Sequence, residues 1–158
     1  MLPFSTRSAS AQNEVVKDHS LTFEIGSAAE WDISGSSSQF GGTLAVEKTP
    51  IENWLELEGG VTVLQASNHA EVGLDLLFKK PYRLSTTAEF MLGVGPEVVQ
   101  KFGVSEHTAN FDIESVLDFM FWPGSNIGWY VEPSYDSGFG PKSERSWGAT
   151  AGLLIGFQ

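Results

Sequence analysis

Two short stretches of the chain combine serine and histidine, the residue types of nucleophilic catalysis. One is Ser67-Asn68-His69, and the other is Ser105-Glu106-His107, followed by Asp112. A serine nucleophile needs a base within hydrogen-bond reach and a third group that orients the base. Both stretches lie in polar segments typical of solvent-exposed loops, which rarely hold such a geometry. The sequence therefore predicts no catalytic residues and no enzyme.

Carboxylates are the second group of residues that could do chemistry. The chain has 20 Asp and Glu against nine Lys and Arg, for a formal net charge of −11. Ten of the acids form a candidate internal acidic cluster: Glu30, Glu56, Glu58, Glu71, Asp75, Glu89, Asp112, Glu114, Asp118 and Glu132. Carboxylate oxygens suit hard cations such as Ca²⁺, but no EF-hand-like spacing occurs, so we predict neither a metal site nor a cofactor. The negative charge also argues against a nucleic-acid partner.

The acids belong to an alternation of apolar and polar residues, with a period of two, that runs from Leu21 to the end of the chain. Phe23 and Ile25 alternate with Glu24 and Gly26, and similar alternation returns seven more times. Such a pattern indicates strands with one apolar and one polar face. Eight strands, an even number, can close without an exposed edge. We predict an all-β single domain over 21–158, an eight-stranded antiparallel up-and-down β-barrel.

The predicted connections differ in character at the two rims of this barrel. Turn-forming pairs stand at Thr49-Pro50, Lys80-Pro81 and Pro123-Gly124, whereas 34–38, 66–69, 96–108 and 137–144 are predicted as mostly longer loops. Short turns on one rim and longer loops on the other are typical of barrels in the bacterial outer membrane.

Aromatic residues and glycines favour an apolar face that points outward, to lipid. Aromatic side chains of the apolar face concentrate near strand ends, as in the interfacial girdles of membrane barrels. The predicted girdle comprises Phe23, Trp31, Phe40, Phe78, Phe121, Trp129, Tyr135, Trp147 and Phe157. Glycines such as Gly60 and Gly73 share the polar phase, where they would leave room for long neighbours inside a narrow lumen.

The charge balance of the polar face argues in the opposite direction. Only Lys79 and Arg83 share the phase of the acids, and we expect both near the short-turn rim, where Lys79, Lys80, Tyr82 and Arg83 would anchor the barrel at lipid headgroups. Unpaired anions packed inside a narrow lumen would repel one another. The alternative is therefore a soluble periplasmic or secreted barrel that turns its apolar face inward and binds an apolar ligand.

The first 20 residues differ from the rest. Ala9-Ser10-Ala11 has the small-x-small form of a signal-peptidase site, although the preceding stretch is too short for a whole signal peptide. We interpret 1–20 as a residual signal peptide or disordered lead-in. The alternative is an ordinary flexible N-terminus.

Specific segments carry a resemblance to known families. The end of the chain, WGATAGLLIGFQ, resembles the C-terminal signal read by the barrel assembly machinery, with Phe157 followed by an additional Gln158. The whole chain resembles small outer-membrane β-barrels of Gram-negative bacteria, the OmpA/OmpX-like and porin-like class. Segments 76–85, 89–97, 117–135 and 144–157 resemble an uncharacterised proteobacterial family, which implies no activity. The resemblance implies the outer-membrane bilayer as a partner, and the assembly machinery as a second partner that recognises strand 147–157.

The leading functional prediction is a non-enzymatic outer-membrane barrel with a structural or surface-interaction role, or with minor permeation of small cations. The soluble apolar-ligand carrier is the rival. A third interpretation is a loop-based lipid-modifying enzyme, but the serine and histidine spacing does not match the His-x-Ser arrangement of lipid A deacylases. The sequence does not determine an oligomeric state.

Overall fold

Eight antiparallel strands form one closed barrel. The computed structural model describes residues 19–34, 37–103, 109–139 and 144–158. The strands are β1 (Leu21–Asp32), β2 (Ser38–Ile51), β3 (Leu55–Gln65), β4 (Ala70–Arg83), β5 (Ala88–Phe102), β6 (Ala109–Phe121), β7 (Ile127–Gly138) and β8 (Arg145–Phe157). Each strand pairs with its sequence neighbours, and β8 pairs with β1. The predicted eight-stranded up-and-down barrel is confirmed. Among the described residues, no helix has the length and apolar character needed to cross a membrane.

The strands are staggered around the barrel. The pairing that begins at Leu21 passes from strand to strand and returns to β1 at Trp31, ten residues further along (from 21 to 31). A closed barrel with such a stagger has strongly tilted strands. Residues at one height in the lumen therefore come from positions that shift steadily from each strand to the next.

Side chains alternate between the lumen and the outer surface. Leu74 and Leu153, at the middle of the outer face, are 52% and 55% exposed. Every Asp and Glu within the eight strands lies on the inward phase instead. The alternative prediction of an apolar interior for an apolar ligand is therefore wrong, because the acids and not the aliphatic side chains face the axis.

Several strand ends differ from the prediction. Thr49-Pro50 lies within β2, and the turn follows at 52–54, where Asn53 has a φ of 57°. Lys80-Pro81 likewise lies within β4. β5 continues through Pro96 to Phe102, so most of the predicted 96–108 loop is strand. The connections measure three to five residues at the short-turn rim (52–54, 84–87 and 122–126) and four to six at the loop rim, so the predicted contrast in length is small.

Candidate functional site

The half of the lumen nearer the short-turn rim is organised around Lys79. This side chain is almost fully buried, at 1% exposed. Its Nζ donates hydrogen bonds to the carboxylates of Glu58, Asp118 (3.0 Å) and Glu132 (2.6 Å), and it lies 3.9 Å from Oε2 of Glu47. One ammonium group thus joins β4 to β2, β3, β6 and β7. We call Lys79 and these four carboxylates the lysine layer.

The expectation that Lys79 lies at the rim is wrong. β4 does not turn at Lys80-Pro81 but runs on to Arg83, which places Lys79 inside the barrel. Lys80 faces outward instead, where its Nζ donates to the carbonyl oxygen of Asn53 (2.7 Å) and lies 5.9 Å from the ring centres of Trp54 and Tyr82. Of the four residues predicted to anchor the rim, only Lys79 lies inside the barrel, and Lys80, Tyr82 and Arg83 remain at the rim.

An apolar layer fills the lumen between the lysine layer and the short-turn rim. Its members are Met91, Met120, Trp122, Tyr130 and Leu154. His19 stacks on Trp122 with ring centres 4.2 Å apart, so the end of the chain before β1 covers this layer. Gly26 makes room for Tyr130, because a Cβ there would come within 2.7 Å of the tyrosine hydroxyl.

A second group of carboxylates surrounds a cavity in the half of the lumen nearer the loop rim. The cavity has an empty volume of about 500 Å³, counting the space at its mouth. Its acidic lining comprises Glu30, Glu71, Asp75, Glu97, Glu114 and Asp136. Glycines accommodate these acids: a Cβ on Gly60 would meet the carboxylate of Asp75, and a Cβ on Gly73 would meet that of Glu97. The glycines of the polar phase thus leave room for long neighbours, as expected.

An ion-pair network lies at the loop rim above the cavity. Nζ of Lys101 lies 3.1 Å from Glu71 and 2.9 Å from Glu144. Nε2 of His69 lies 2.7 Å from Oε1 of Glu71, and its Nδ1 lies 2.7 Å from the side-chain oxygen of Asn68. Both ring nitrogens of His69 are thus engaged by groups other than a serine hydroxyl. The other serine and histidine stretch, at 105–107, lies outside the described residues.

The structure separates the ten acids of the predicted internal cluster. Glu58, Asp118 and Glu132 belong to the lysine layer, beside the buried Glu56, and Glu30, Glu71, Asp75 and Glu114 line the cavity. Asp112 lies inward on β6 towards the loop rim, and Glu89 pairs with Arg83 in register at the opposite rim.

The predicted cluster of acids left out Glu47 and Asp136, and sequence reasoning misplaced three further residues of the lumen. Lys79 was assigned to the rim, and Glu97 and Lys101 to a loop. The alternation itself could have placed the latter two, because Glu89, Gly93, Gly95, Glu97 and Lys101 share one phase across Pro96. No local signal in the sequence marks Lys79 as the counter-ion of acids from four other strands.

Aromatic contacts on the outer surface form two separate groups. Near the short-turn rim, Phe121 stacks on Trp129 (4.1 Å) and Phe23 meets Phe157 edge-on (5.6 Å). Towards the loop rim lie the pairs Trp31–Phe40 (6.5 Å) and Tyr135–Trp147 (5.1 Å). Phe78, the remaining residue of the predicted girdle, also faces outward but is set further in from the end of β4. The contacts among Tyr82, Phe90 and Phe119 also belong to the group near the short-turn rim.

Comparison with known proteins identifies this architecture. Neisserial surface protein A (NspA) superposes with a TM-score of 0.68 at 11% identity over 87% of this chain and 96% of that one. OprG from Pseudomonas aeruginosa gives 0.68 at 10% identity over 87% and 95%. Ail, the attachment invasion locus protein of Yersinia pestis, gives 0.57 at 15% identity over 85% and 97%. The chain has the fold of the small outer-membrane β-barrels.

The resemblance inferred from the sequence is thus confirmed at the level of the fold. No family model matches the chain, and no curated protein matches it. Identities of 10% to 15% establish a shared barrel and no shared activity. Any function of this chain must therefore be argued from its own surfaces and lumen.

Proposed function

We propose that this protein is an integral barrel of the bacterial outer membrane that catalyses no reaction and has a structural or surface-interaction role. The observation that carries the proposal is the distribution of residues between its two faces. The middle of the outer surface carries exposed aliphatic side chains, among them Ile25, Leu44, Val61, Leu74, Leu76, Val94, Leu117 and Leu153. No strand carboxylate shares this face.

The aliphatic band encircles the barrel between the two aromatic groups. An exposed apolar surface that continues around a whole protein is far larger than the patches of a few hundred Å² that soluble monomers show. Tyr and Trp are stabilised at the boundary between hydrocarbon and water, which is where the two aromatic groups would lie in a bilayer. The same face in water would favour aggregation. A lipid bilayer is therefore the partner that fits it.

Assembly in the outer membrane requires export and insertion. The last strand ends with outward-facing Leu153, Ile155 and Phe157, alternating with small or buried residues. That arrangement supports the proposal that strand 147–157 is recognised by the barrel assembly machinery. The residual signal peptide or lead-in that we propose for 1–20 lies outside the described residues, except for His19 and Ser20.

The lumen supports a structural role better than permeation. Met91, Met120, Trp122, Tyr130 and Leu154 fill it near the short-turn rim, and an eight-stranded barrel has only enough interior for side chains. The loop-rim connections are short, at four to six residues, so any surface interaction would involve the rim itself and not long loops.

A pair of arginine substitutions tests the membrane assignment. Leu74→Arg places a charge in the middle of the aliphatic band, and Ile33→Arg places the same charge at the loop rim; the two side chains are 52% and 50% exposed. In a bilayer we expect L74R to destabilise the barrel by about 2–4 kcal/mol and I33R by about 0–1 kcal/mol. Stability is measured by urea unfolding of the chain refolded in lipid vesicles.

Localisation is tested separately by fractionating cells that express the full gene. The barrel should be recovered with outer membranes and should migrate differently on SDS gels before and after boiling. Equal effects of L74R and I33R, together with a monodisperse protein in detergent-free buffer, would refute the proposal.

A further inference from the structure

Three carboxylates in the cavity half of the lumen lie close enough to share one ion. Glu97 of β5, Glu114 of β6 and Asp136 of β7 each offer an oxygen, and these oxygens all lie within 4.8 Å of one another. Oxygens that bind one Ca²⁺ ion, each at roughly 2.3–2.6 Å from it, are separated by distances of this order or less. The three residues stand on consecutive strands, so barrel closure and register fix their relative positions.

The register sets like charges against each other here. Glu114 lies directly opposite Asp136, while Glu97 lies opposite Asp75 on one side and Asp112 on the other. Like charges directly opposite one another on adjacent strands destabilise a sheet. Such an arrangement requires a compensating positive charge or bound protons.

No protein cation supplies that charge within the described part of the chain. The ion pairs of Lys79 go to the lysine layer, and those of Lys101 go to Glu71 and Glu144 at the rim. None of the ion pairs found among the described residues includes Glu97, Glu114 or Asp136. The two acidic groups of the lumen therefore differ: one contains an ammonium group, and the other is paired with no cation from the described ranges.

Asp136 provides an independent indication of a missing ligand. It is only 9% exposed, and its buried Oδ1 has no hydrogen-bond partner among the described residues, although Oδ2 accepts a bond from Ser146 (3.4 Å). A buried carboxylate oxygen without a partner has a large desolvation cost. Oδ1 of Asp75, on the wall of the same cavity, is also buried and has no hydrogen-bond partner in the part of the chain that the structure describes.

We propose that Glu97, Glu114 and Asp136 form a Ca²⁺-binding site in the lumen. Three carboxylates supply hard oxygen ligands, and the adjoining cavity has room for the waters that would complete a coordination number of about six to eight. Ca²⁺ fits better than Mg²⁺, which demands a near-ideal octahedron. All three side chains lie inside the barrel, so the proposal does not depend on the membrane in which the barrel resides.

The test is a titration of the folded full chain with CaCl₂ alone. The protein is refolded in a non-ionic detergent, which does not itself bind Ca²⁺, and is stripped with a chelator. Calorimetry should show one site, with a dissociation constant of about 10⁻⁴–10⁻³ M, the range typical of weak Ca²⁺-binding modules. Glu114→Gln and Asp136→Asn should each weaken binding at least tenfold.

Asp112→Asn is the matched control, because it removes a charge from the same strand and the same lumen without removing one of the three ligands. D112N should keep wild-type Ca²⁺ affinity to within a few fold. Absence of binding heat in the folded wild type would overturn the proposal. Equal loss in D112N and E114Q would also overturn it, because the effect would then be one of general lumen charge.

Thermal unfolding provides a second readout, because the difference in unfolding temperature between E114Q and the wild type should change sign between chelator and Ca²⁺. In chelator, E114Q should unfold at a higher temperature than the wild type, because the amide relieves repulsion with Asp136. In millimolar Ca²⁺ the order should reverse, because only the wild type gains stability from the ion. An unchanged order in the two buffers would contradict a Ca²⁺ site even if E114Q folds well.

Discussion

Replacing Lys79 by methionine tests whether one ammonium group stabilises the half of the lumen nearer the short-turn rim. Methionine keeps most of the aliphatic stem, so K79M removes the charge and the donors with little change in packing. Three carboxylates, those of Glu58, Asp118 and Glu132, would lose their hydrogen-bond donor together. Removing one partner of a buried ion pair costs about 3–5 kcal/mol, because a buried charge is left uncompensated. We expect K79M to fall near the upper end of that range at neutral pH.

The assay is urea unfolding of the refolded full chain, followed by tryptophan fluorescence and extrapolated linearly to water. Lys80→Met is the matched control, because Lys80 is the next residue and faces outward, where it bonds the carbonyl oxygen of Asn53. An interaction at such an exposed site contributes about 1 kcal/mol or less. The comparison therefore separates loss of the internal counter-ion from loss of a lysine in general.

The cost of K79M should depend on pH. The ammonium group of Lys79 favours the ionised forms of the carboxylates of Glu58 and Asp118. In K79M they gain stability in the folded state by taking up protons, so the difference between the two proteins should shrink as the pH falls from about 8 to about 4. If K79M and K80M unfold with the same free energy across that range, Lys79 does not compensate the layer and the reasoning is wrong.

Two further comparisons test packing and assembly. Gly41→Ala should cost about 1–3 kcal/mol, because its Cβ would collide with the backbone carbonyl of Val63, whereas Gly59→Ala, which meets open space, should be neutral or stabilising by up to about 1 kcal/mol; urea unfolding of both variants in vesicles measures this. Phe157→Ala should lower the yield of heat-modifiable barrel in outer membranes several-fold more than Phe23→Ala, although both remove the same ring contact. Equal assembly yields for F157A and F23A in cells would contradict recognition of the last strand.

The fold could be predicted from the sequence because two signals indicate which way the side chains of a strand point: apolar residues on the outward side and polar residues on the inward side. In β6, Phe111, Leu117 and Phe119 mark the outward side, while Asp112 and Asp118 mark the inward side. A shift of one residue would put acids into lipid and phenylalanines into the lumen, so the alternation specifies the register strongly.

Strand ends were less predictable because proline has two roles. Pro50, Pro81 and Pro96 read as turn or loop signals, yet all three lie within strands of the barrel. A proline removes one backbone donor from the ladder but leaves the alternation of side chains intact. The phase on either side of Pro96 was the more reliable guide.

The lumen could be predicted only in part, because alternation gives the direction of a side chain and not its height. Lys79 on β4 reaches Glu132 on β7, 53 positions away in sequence. Whether these two residues meet depends on the stagger accumulated around all eight strands, which no single strand encodes. The inward direction of the acids followed from the pattern, but their division into two layers did not.

The acidic lumen meets a requirement of the unfolded chain, which must stay soluble, at the cost of repulsion between acids in the closed barrel. Strands that were apolar on both faces would lose the alternation that fixes register, and would be prone to aggregate before insertion. Acids at many of the inward positions avoid both problems while the chain is unfolded, since charged residues remain hydrated. Closure then brings those acids together at low hydration, which is why compensation is needed only in the folded barrel. Lys79 supplies the compensating positive charge in the lysine layer. The proposed Ca²⁺ site would supply it among the carboxylates around the cavity near the loop rim. Different cations compensate the lysine layer and the carboxylates around the cavity. Removing Ca²⁺ with a chelator should therefore lower the free energy of unfolding of K79M and of the wild type by the same amount.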